Sequence, residues 1–421
     1  MRALSAATLV VAVSGYAVIV VAGRALDTVG YEAFAVFWGL FFALAGLIDG
    51  LLQETTRSVA ARTTAAGRTG QAPRAAAASS VRPMAVAAGL AVVVATVVAA
   101  SGPLWAGRIL PDGSGLAGAG VVLMAVGLAS YTFQAAVCGL LSAAMRWTTF
   151  AWLISVDSAV RIVLALIAWA AGWQLLAFLL VTVVGAATWL GLLLVSPSSR
   201  RLLHEVGDVG TAEFLRRTCK AMLASGANAV LITGFPVLIT FTSGADVSPG
   251  ALAAVITAVT LTRAPLLVPL QRFQPALIVH LTAHRDRVLR ACVLPATVIV
   301  ATAAVGGVAA YGLARPLMLL FFDEELVSSP VVLAALTVAS ASTALLMVTG
   351  SAAHAAERHS LYLAGWAVAT VAAVALLSVD ASPEVRAVLT LGLAPLTGVV
   401  VHVVALTLSR PARECSSART R

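Results

Sequence analysis

The sequence predicts an all-α polytopic membrane protein, with twelve transmembrane helices in two six-helix bundles around a central cavity. Three observations lead there. The 421 residues are 60% hydrophobic and 11% charged, with a mean hydropathy of +0.99. Apolar runs of about 20 residues, each long enough to cross the hydrocarbon, recur from end to end. The basic residues, all arginine except Lys220, collect in alternate connections.

Polar, charged and Gly/Pro interruptions cut the first half into spans near 4–23, 31–52, 84–105, 117–141, 148–171 and 174–195. The first could be mistaken for a cleaved signal peptide, but further spans directly behind it favour a retained helix. The second half gives spans near 219–242, 250–271, 288–313, 329–350, 360–378 and 386–408. Between them, "SPSSRRLLHEVGDVGTAEFLRRT", residues 196–218, is the one convincing linker. The expected organisation is an N-terminal lobe over 1–195, that cytoplasmic linker, a C-terminal lobe over 219–408 and a basic tail over 409–421. Residues 53–83 suit a helical extension followed by either a helix on the anionic lipid surface or a solvated loop. "SGYAVIVVAG" in span one and "SGANAVLITG" in span seven align Ser14, Gly15 and Gly23 with Ser225, Gly226 and Gly234, a faint sign of a six-helix repeat.

Cytoplasmic loops retain positive charge, so arginine sets the orientation. With the N-terminus inside, Arg57, Arg62, Arg68, Arg74 and Arg82 lie in one cytoplasmic connection, and Arg200, Arg201, Arg216, Arg217 and Lys220 in another. Arg410, Arg413, Arg419 and Arg421 join them in the tail, whereas the external turns collect Asp27, Glu32, Asp323, Glu324 and Glu325. Both termini are therefore expected to be cytoplasmic, in a bacterial inner membrane. This topology accounts for the net charge of +9, and no nucleic-acid partner is expected.

Little points to catalysis. Cys138, Cys219, Cys292 and Cys415 form no CxxC pair, so neither a disulfide framework nor a metal site is expected. "GSGLAGAG" from Gly113 fits GxGxxG in spelling but lacks the strand that dinucleotide binding requires. No Walker motif occurs. His280 and His284 share a helix face without the glutamate of a zincin, so a solvated interfacial pair is favoured over a metal site. The chain is not expected to be an enzyme or to carry a cofactor.

Four ionisable residues remain inside spans: Asp49, Asp157, Arg161 and Arg263. Each costs several kcal/mol at the bilayer centre unless paired or wet, so a functional role is the default reading. Asp157 and Arg161, four apart, can neutralise each other along one helix face, or can serve a relay or substrate contact with Gln134 as a neighbour. Arg263 has no acid within four residues on its own helix. It requires either a partner on another helix, Asp49 among them, or an anionic ligand, and its planar donor fork suits phosphate oxygens. Pro265, Pro269 and Pro275 follow it, and each removes a backbone hydrogen bond, so span eight is expected to bend or loosen. Span seven repeats the theme with Asn228, Gly234 and Pro236. Spans one, two, seven and eight are expected to line a pathway, with these prolines as hinges; ordinary kinks in packed helices are the alternative.

Residue order adds a resemblance. "AGRALDTVGYEAFAVFWGLFFALAGLIDGLLQETTRSVAAR", residues 22–62, resembles the opening of the polysaccharide-transporter (Wzx-type flippase) family of the multidrug/oligosaccharidyl-lipid/polysaccharide exporter superfamily. The matching residues are Arg24, Gly30, Tyr31, Asp49, Gly50, Gln53, Glu54 and Arg57, with the family's Tyr-Gly order inverted at Gly30-Tyr31. "RAPLLVPLQRFQPAL" resembles the family's eighth span. The resemblance implies alternating-access movement of a polyprenyl-diphosphate-linked oligosaccharide or cell-wall glycan precursor, with membrane lipids and glycosyltransferases or a polymerase of the same pathway as partners. It implies Arg263 at the diphosphate, with Arg24, Arg161, Asn228 and Gln134 as further substrate contacts. Asp49, Gln53, Glu54 and Arg57 would form an inner gate, with Asp157, Gln271 and Arg272 as further gate or coupling residues. A drug/cation antiporter of the same superfamily, coupled through Asp49 and Asp157, and a non-transporting scaffold for cell-wall enzymes are the alternatives.

Overall fold

The computed structural model describes residues 2–69, 80–111, 115–244, 247–248, 250–284 and 287–408, without the side chains of 2–6, 8–9, 65–69, 272 and 275. The basic tail, residues 70–79 and the side chains of Arg272 and Pro275 lie outside that description. The described residues are helical, with no strand. The helices of the first half are α1 (Arg2–Ala25), α2 (Thr28–Thr69), α3 (Pro83–Ile109), α4 (Leu116–Ala143), α5 (Trp147–Ala170), α6 (Leu175–Val184), α7 (Thr188–Val195) and α8 (Pro197–Leu202). Those of the second half are α9 (Thr211–Ile232), α10 (Phe235–Thr242), α11 (Ala253–Ala283), α12 (Val288–Ala291), α13 (Val293–Leu319), α14 (Pro330–Ala355), α15 (His359–Leu377) and α16 (Pro383–Leu408).

Ten helices among the described residues are long and apolar enough to cross a membrane, and α9 with α10 makes an eleventh span bent by 69°. A shorter apolar helix, Val10–Ala25, falls on the first run. The twelve runs of the sequence thus each meet a helix, and the chain is a polytopic membrane protein. The bend in span seven falls where Gly234 and Pro236 stand, with Pro236 in the first turn of α10, where its missing N–H costs nothing. Span eight behaves otherwise, because α11 stays helical across Pro265, Pro269 and Pro275. The expected loosening does not take the form of a break.

Packing divides the chain into two compact units, Met1–Thr257 with Leu317–Val327, and Ala258–Pro316 with Ser328–Arg421. The first unit therefore runs past the 196–218 connection. Its spine is α2, which packs on α4 and α9. In a membrane, helices gain by close backbone approach, which only small residues permit. A Cβ on Gly46 would stand 2.6 Å from that of Ala229, and one on Gly50 would collide with the backbone of Ala221 and Met222. Gly226 faces Leu47 in return. The 317–327 segment joins this unit because Phe322, 2% exposed, fills the space beside Gly23 and meets Tyr31 edge-on at 6.3 Å. In the second unit, α16 packs on both α14 and α15. There a Cβ on Gly398 would strike the backbone of Gly365.

Gly50→Ala is expected to cost about 1–3 kcal/mol by forcing α2 and α9 apart. The thermal unfolding midpoint of the detergent-solubilised protein should fall, whereas Gly15→Ala, where nothing lies within 4 Å of the added carbon, should leave it unchanged.

Candidate functional site

The polar residues of α2 reach three different neighbours within the first unit. Asp49 accepts a hydrogen bond from Tyr131 of α4 at 2.8 Å. One turn on, Gln53 donates to Ser225 of α9 at 2.9 Å. Glu54, 5% exposed, accepts two bonds from Arg57, at 2.8 and 2.6 Å. Arg57 also reaches Asp208 through both terminal nitrogens, each at 3.1 Å. Ser58 donates to the same carboxylate at 2.7 Å, and Arg62 donates to the Gly207 carbonyl at 3.1 Å.

The C-terminal half of α2 is thereby clasped to the connection between α8 and α9. Main-chain bonds between Val81 and the carbonyl of Val209, and between Gly207 and the carbonyl of Val81, bring the connection before α3 into the same clasp. A Cβ on Gly207 would collide with Ser58, so this position needs glycine. Burial pushes the Asp208 carboxyl up, but the hydrogen bonds from Arg57 and Ser58 outweigh it and hold the group below the usual carboxylate range. A depressed acid stabilises the fold above its unfolded pKa and loses that effect as pH falls through the folded one.

Deeper in the unit, Asp157 and Arg161 of α5 form an ion pair, with one carboxylate oxygen 2.9 Å from Nη2 and 3.1 Å from Nε. Arg161 is 4% exposed, donates also to the Thr182 carbonyl and lies over the rings of Phe41 (5.6 Å) and Phe42 (5.0 Å). The two readings left open for this pair thus meet a self-neutralised arrangement sealed by aromatic faces. It is made possible by a 3-10 turn, Gly185–Ala187, that interrupts span six. A Cβ on Gly185 would collide with both Asp157 and Arg161.

The freed carbonyls of that turn are met from α4. Ser130 donates to the Ala186 carbonyl at 2.8 Å, and Trp189 donates to Ser130 at 3.0 Å. With its nitrogen toward the turn, the Gln134 amide donates to the carbonyls of Ala186 (3.1 Å) and Gly185 (3.3 Å). Irregular backbone at membrane depth persists only where protein or water satisfies it, and here protein does. Gln134 thus bonds to Gly185, the residue against which Asp157 and Arg161 pack.

At the C-terminal end of α1, Arg24 pairs with Asp323 at 3.1 Å and donates to the Leu320 carbonyl at 2.8 Å. Thr28 donates to Glu325 at 2.5 Å, and Asp27 accepts from the Gly30 amide at 2.8 Å. Asp27, Thr28, Asp323 and Glu325 line a pocket of about 580 Å³. Asn228 is half-buried on α9, one turn from Ser225 and before the bend.

Within the second unit, Arg263 is 4% exposed on α11, and its Nη2 donates to the Thr343 hydroxyl of α14 at 3.4 Å. It stands ten residues beyond Ala253 (263 − 253), and Thr343 thirteen beyond Pro330 (343 − 330). At 1.5 Å per residue these are depths of roughly 15 and 20 Å, about the middle of a bilayer whose core is about 30 Å thick. About three turns further along α11, Gln274 donates to Ser351 of α14 at 3.5 Å. Pro265, Pro269 and Gln271 are exposed on α11. Sequence reasoning missed Ser58, Asp208, Gly185 and Thr343, since a serine, a glycine or a loop acid has no pattern of its own until its partner is known.

No family model matches the sequence. By fold, the chain is a helical membrane protein of the kind seen in transporters of the MOP superfamily. It superposes on the inward-facing conformation of a multidrug resistance MATE family transporter of that superfamily with a TM-score of 0.71, at 16% identity over 95% of each chain. The outward-facing conformation of such a transporter gives 0.66, at 14% identity over 97% of this chain and 94% of that one. A MOP superfamily transporter from Pyrococcus furiosus gives 0.67, at 15% identity over 96% and 95%. In sequence, "Uncharacterized protein Rv3630" of Mycobacterium tuberculosis is 40% identical over 400 residues, 95% of this chain and 90% of the relative. "Uncharacterized protein Rv1510" of the same species is 39% identical over 402 residues, with the same coverage of each. The chain belongs to the family of these mycobacterial proteins.

Asp157→Ala would leave the Arg161 charge buried without its carboxylate, so a loss of about 3–5 kcal/mol is expected. Thermal unfolding of Asp157→Ala beside the double variant with Arg161→Leu checks this, because the double variant should recover much of the loss. Asp208→Asn should release the clasp at neutral pH, read as faster limited proteolysis within 196–218. The unsubstituted protein should show the same increase only below about pH 4, as the carboxylate takes up its proton.

Proposed function

We propose that this protein is a flippase that carries a polyprenyl-diphosphate-linked oligosaccharide or cell-wall glycan precursor across the bacterial cytoplasmic membrane by alternating access. The observation that carries the reading is the guanidinium of Arg263, held at mid-bilayer depth on α11 and oriented by the Thr343 hydroxyl. A cation there costs several kcal/mol in hydrocarbon. Its planar fork offers paired donors to the oxygens of a diphosphate. The MOP-type fold supports transport, since solved neighbours occupy inward-facing and outward-facing conformations.

On this reading the remaining charges divide by task. The Arg57–Asp208 clasp and the Gln53–Ser225 bond hold the inner ends of α2 and α9 together, and their release would open the cytoplasmic side. Arg24 at the outer rim meets the headgroup as it leaves, exchanging Asp323 for phosphate. Arg161 is committed to Asp157 and serves the bundle. Both termini lie in the cytoplasm, consistent with the arginine bias of the connections. One observation favours the drug/cation antiporter instead. Asp49, hydrogen-bonded to Tyr131 deep on α2, is a carboxylate that could bind a coupling cation or proton.

The test is binding of undecaprenyl diphosphate to the purified protein in nanodiscs, with undecaprenol as the control. Arg263→Ala is expected to weaken diphosphate binding at least tenfold while leaving undecaprenol unchanged, and Arg263→Lys to recover part of the loss. Equal affinity of the wild type and Arg263→Ala for the diphosphate would remove the reading.

A further inference from the structure

A second titratable cluster lies in the core of the second unit, outside every group used above. His402 of α16 has 0% exposure. Its Nδ1 is 3.0 Å from the Thr349 hydroxyl of α14, and its Nε2 is 3.3 Å from the Tyr362 carbonyl of α15. The imidazole fits only because position 365 is glycine, since a Cβ there would collide with the ring. An ionisable side chain inside a membrane bundle is a functional candidate by default, and histidine is the one whose ordinary titration spans physiological pH.

The hydrogen bonds accommodate both protonation states without moving a heavy atom. In the neutral form, Nε2–H donates to the Tyr362 carbonyl and Nδ1 accepts from the Thr349 hydroxyl. When a proton binds Nδ1, that nitrogen becomes a donor and the hydroxyl accepts from it. The Thr349 hydrogen then turns to the carbonyl of Leu345 or Leu346, 3.1 and 3.2 Å away. One N–H bond forms, one hydroxyl rotates and no acceptor is lost.

Two further histidines stand on the same helices. His359, exposed at the start of α15, has its Nδ1 3.3 Å from Nδ1 of His354 on α14. The His354 ring lies 4.2 Å from that of Tyr362, whose carbonyl meets His402. The other charged groups near it are Glu357, on the connection between α14 and α15, and Arg358, which donates to the Ala405 carbonyl of α16 at 2.8 Å. Toward the opposite end of the helices stand Arg386 on α16, bonded to the Leu377 carbonyl, and Arg263 against α14.

We propose that His402 is the proton-binding site of the second unit, and that its protonation couples a proton gradient to the transport cycle. The coupling rests on the transport reading, whereas proton binding at His402 does not. The chain has six histidines, so a ¹⁵N-histidine NMR titration of the full protein in nanodiscs from pH 4 to 8.5 is tractable. The imidazole missing from the spectrum of His402→Gln is expected to titrate within that range. Thr349→Val, which removes the acceptor for Nδ1–H and preserves side-chain shape, should lower its midpoint by about one pH unit, a tenfold loss of proton affinity. A His402 that holds one protonation state throughout, or a midpoint unmoved by Thr349→Val, would overturn the site. In proteoliposomes, an imposed pH gradient should accelerate movement of a fluorescent polyprenyl-diphosphate-linked glycan at least threefold in the wild type and not in Thr349→Val. Gradient-independent movement in the wild type would overturn the coupling. Failure to bind undecaprenyl diphosphate would remove the transport reading and leave the titration to decide the site.

Discussion

Guanidinium groups buried in a membrane bundle must be met by protein or by something that passes, and the three buried arginines among the described residues meet that constraint in different ways. Arg161 has a carboxylate on its own helix, a carbonyl from an interrupted neighbour and two aromatic faces. Arg386 donates to the Leu377 carbonyl, at the C-terminal end of α15, where the helix dipole favours a cation. Arg263 lies at mid-bilayer depth against the hydroxyl of Thr343. The first two positions explain how bundles are held together. The third carries the functional reading, because its planar donor fork suits the oxygens of a diphosphate.

The remainder of the architecture follows from how closely backbones approach. Without a hydrophobic drive between helices in lipid, the gain comes from van der Waals contact and interhelical hydrogen bonds. Glycine therefore marks the places where helices or side chains meet most tightly. Gly46 and Gly50 seat α9 against α2, Gly185 admits the Asp157–Arg161 pair, and Gly365 and Gly398 join α15 to α16 and leave room for His402. The same α2 whose glycines seat α9 carries Asp49, Gln53, Glu54 and Arg57 to partners on α4, on α9 and in the connection before α9. Motion of α9 relative to α2 would break the Gln53–Ser225 bond.

Much of this was legible in the sequence because a bilayer imposes length and polarity rules on each span separately. Apolar runs of about 20 residues marked the twelve helical elements, and Gly234 with Pro236 marked the bend in span seven. The i,i+4 spacing of Asp157 and Arg161 allowed the pair that the structure contains. What could not be read depends on partners distant in the chain. Asp208 looked like one more acid in a linker, yet it receives Arg57 and Ser58. Thr349 and His402 are 53 residues apart, and neither has a local pattern. The three prolines of α11 suggested a bend or local loosening, and the helix runs on across them over 31 residues. The packing boundary of the first unit at Thr257 was equally hidden, since Leu252 and Thr257 donate to Glu32 and Tyr31 of α2, more than 200 residues away.

The central claim is that an anionic lipid-linked substrate passes beside Arg263. It is tested most directly by photocrosslinking a diazirine-bearing polyprenyl diphosphate to the full protein in nanodiscs and mapping the labelled peptides. Labelling concentrated on α11 around Arg263 and on α14 around Thr343, and competed by unlabelled undecaprenyl diphosphate, is the expected result. Label confined to the lipid-facing surface of α13, or undiminished by the competitor, would contradict the account.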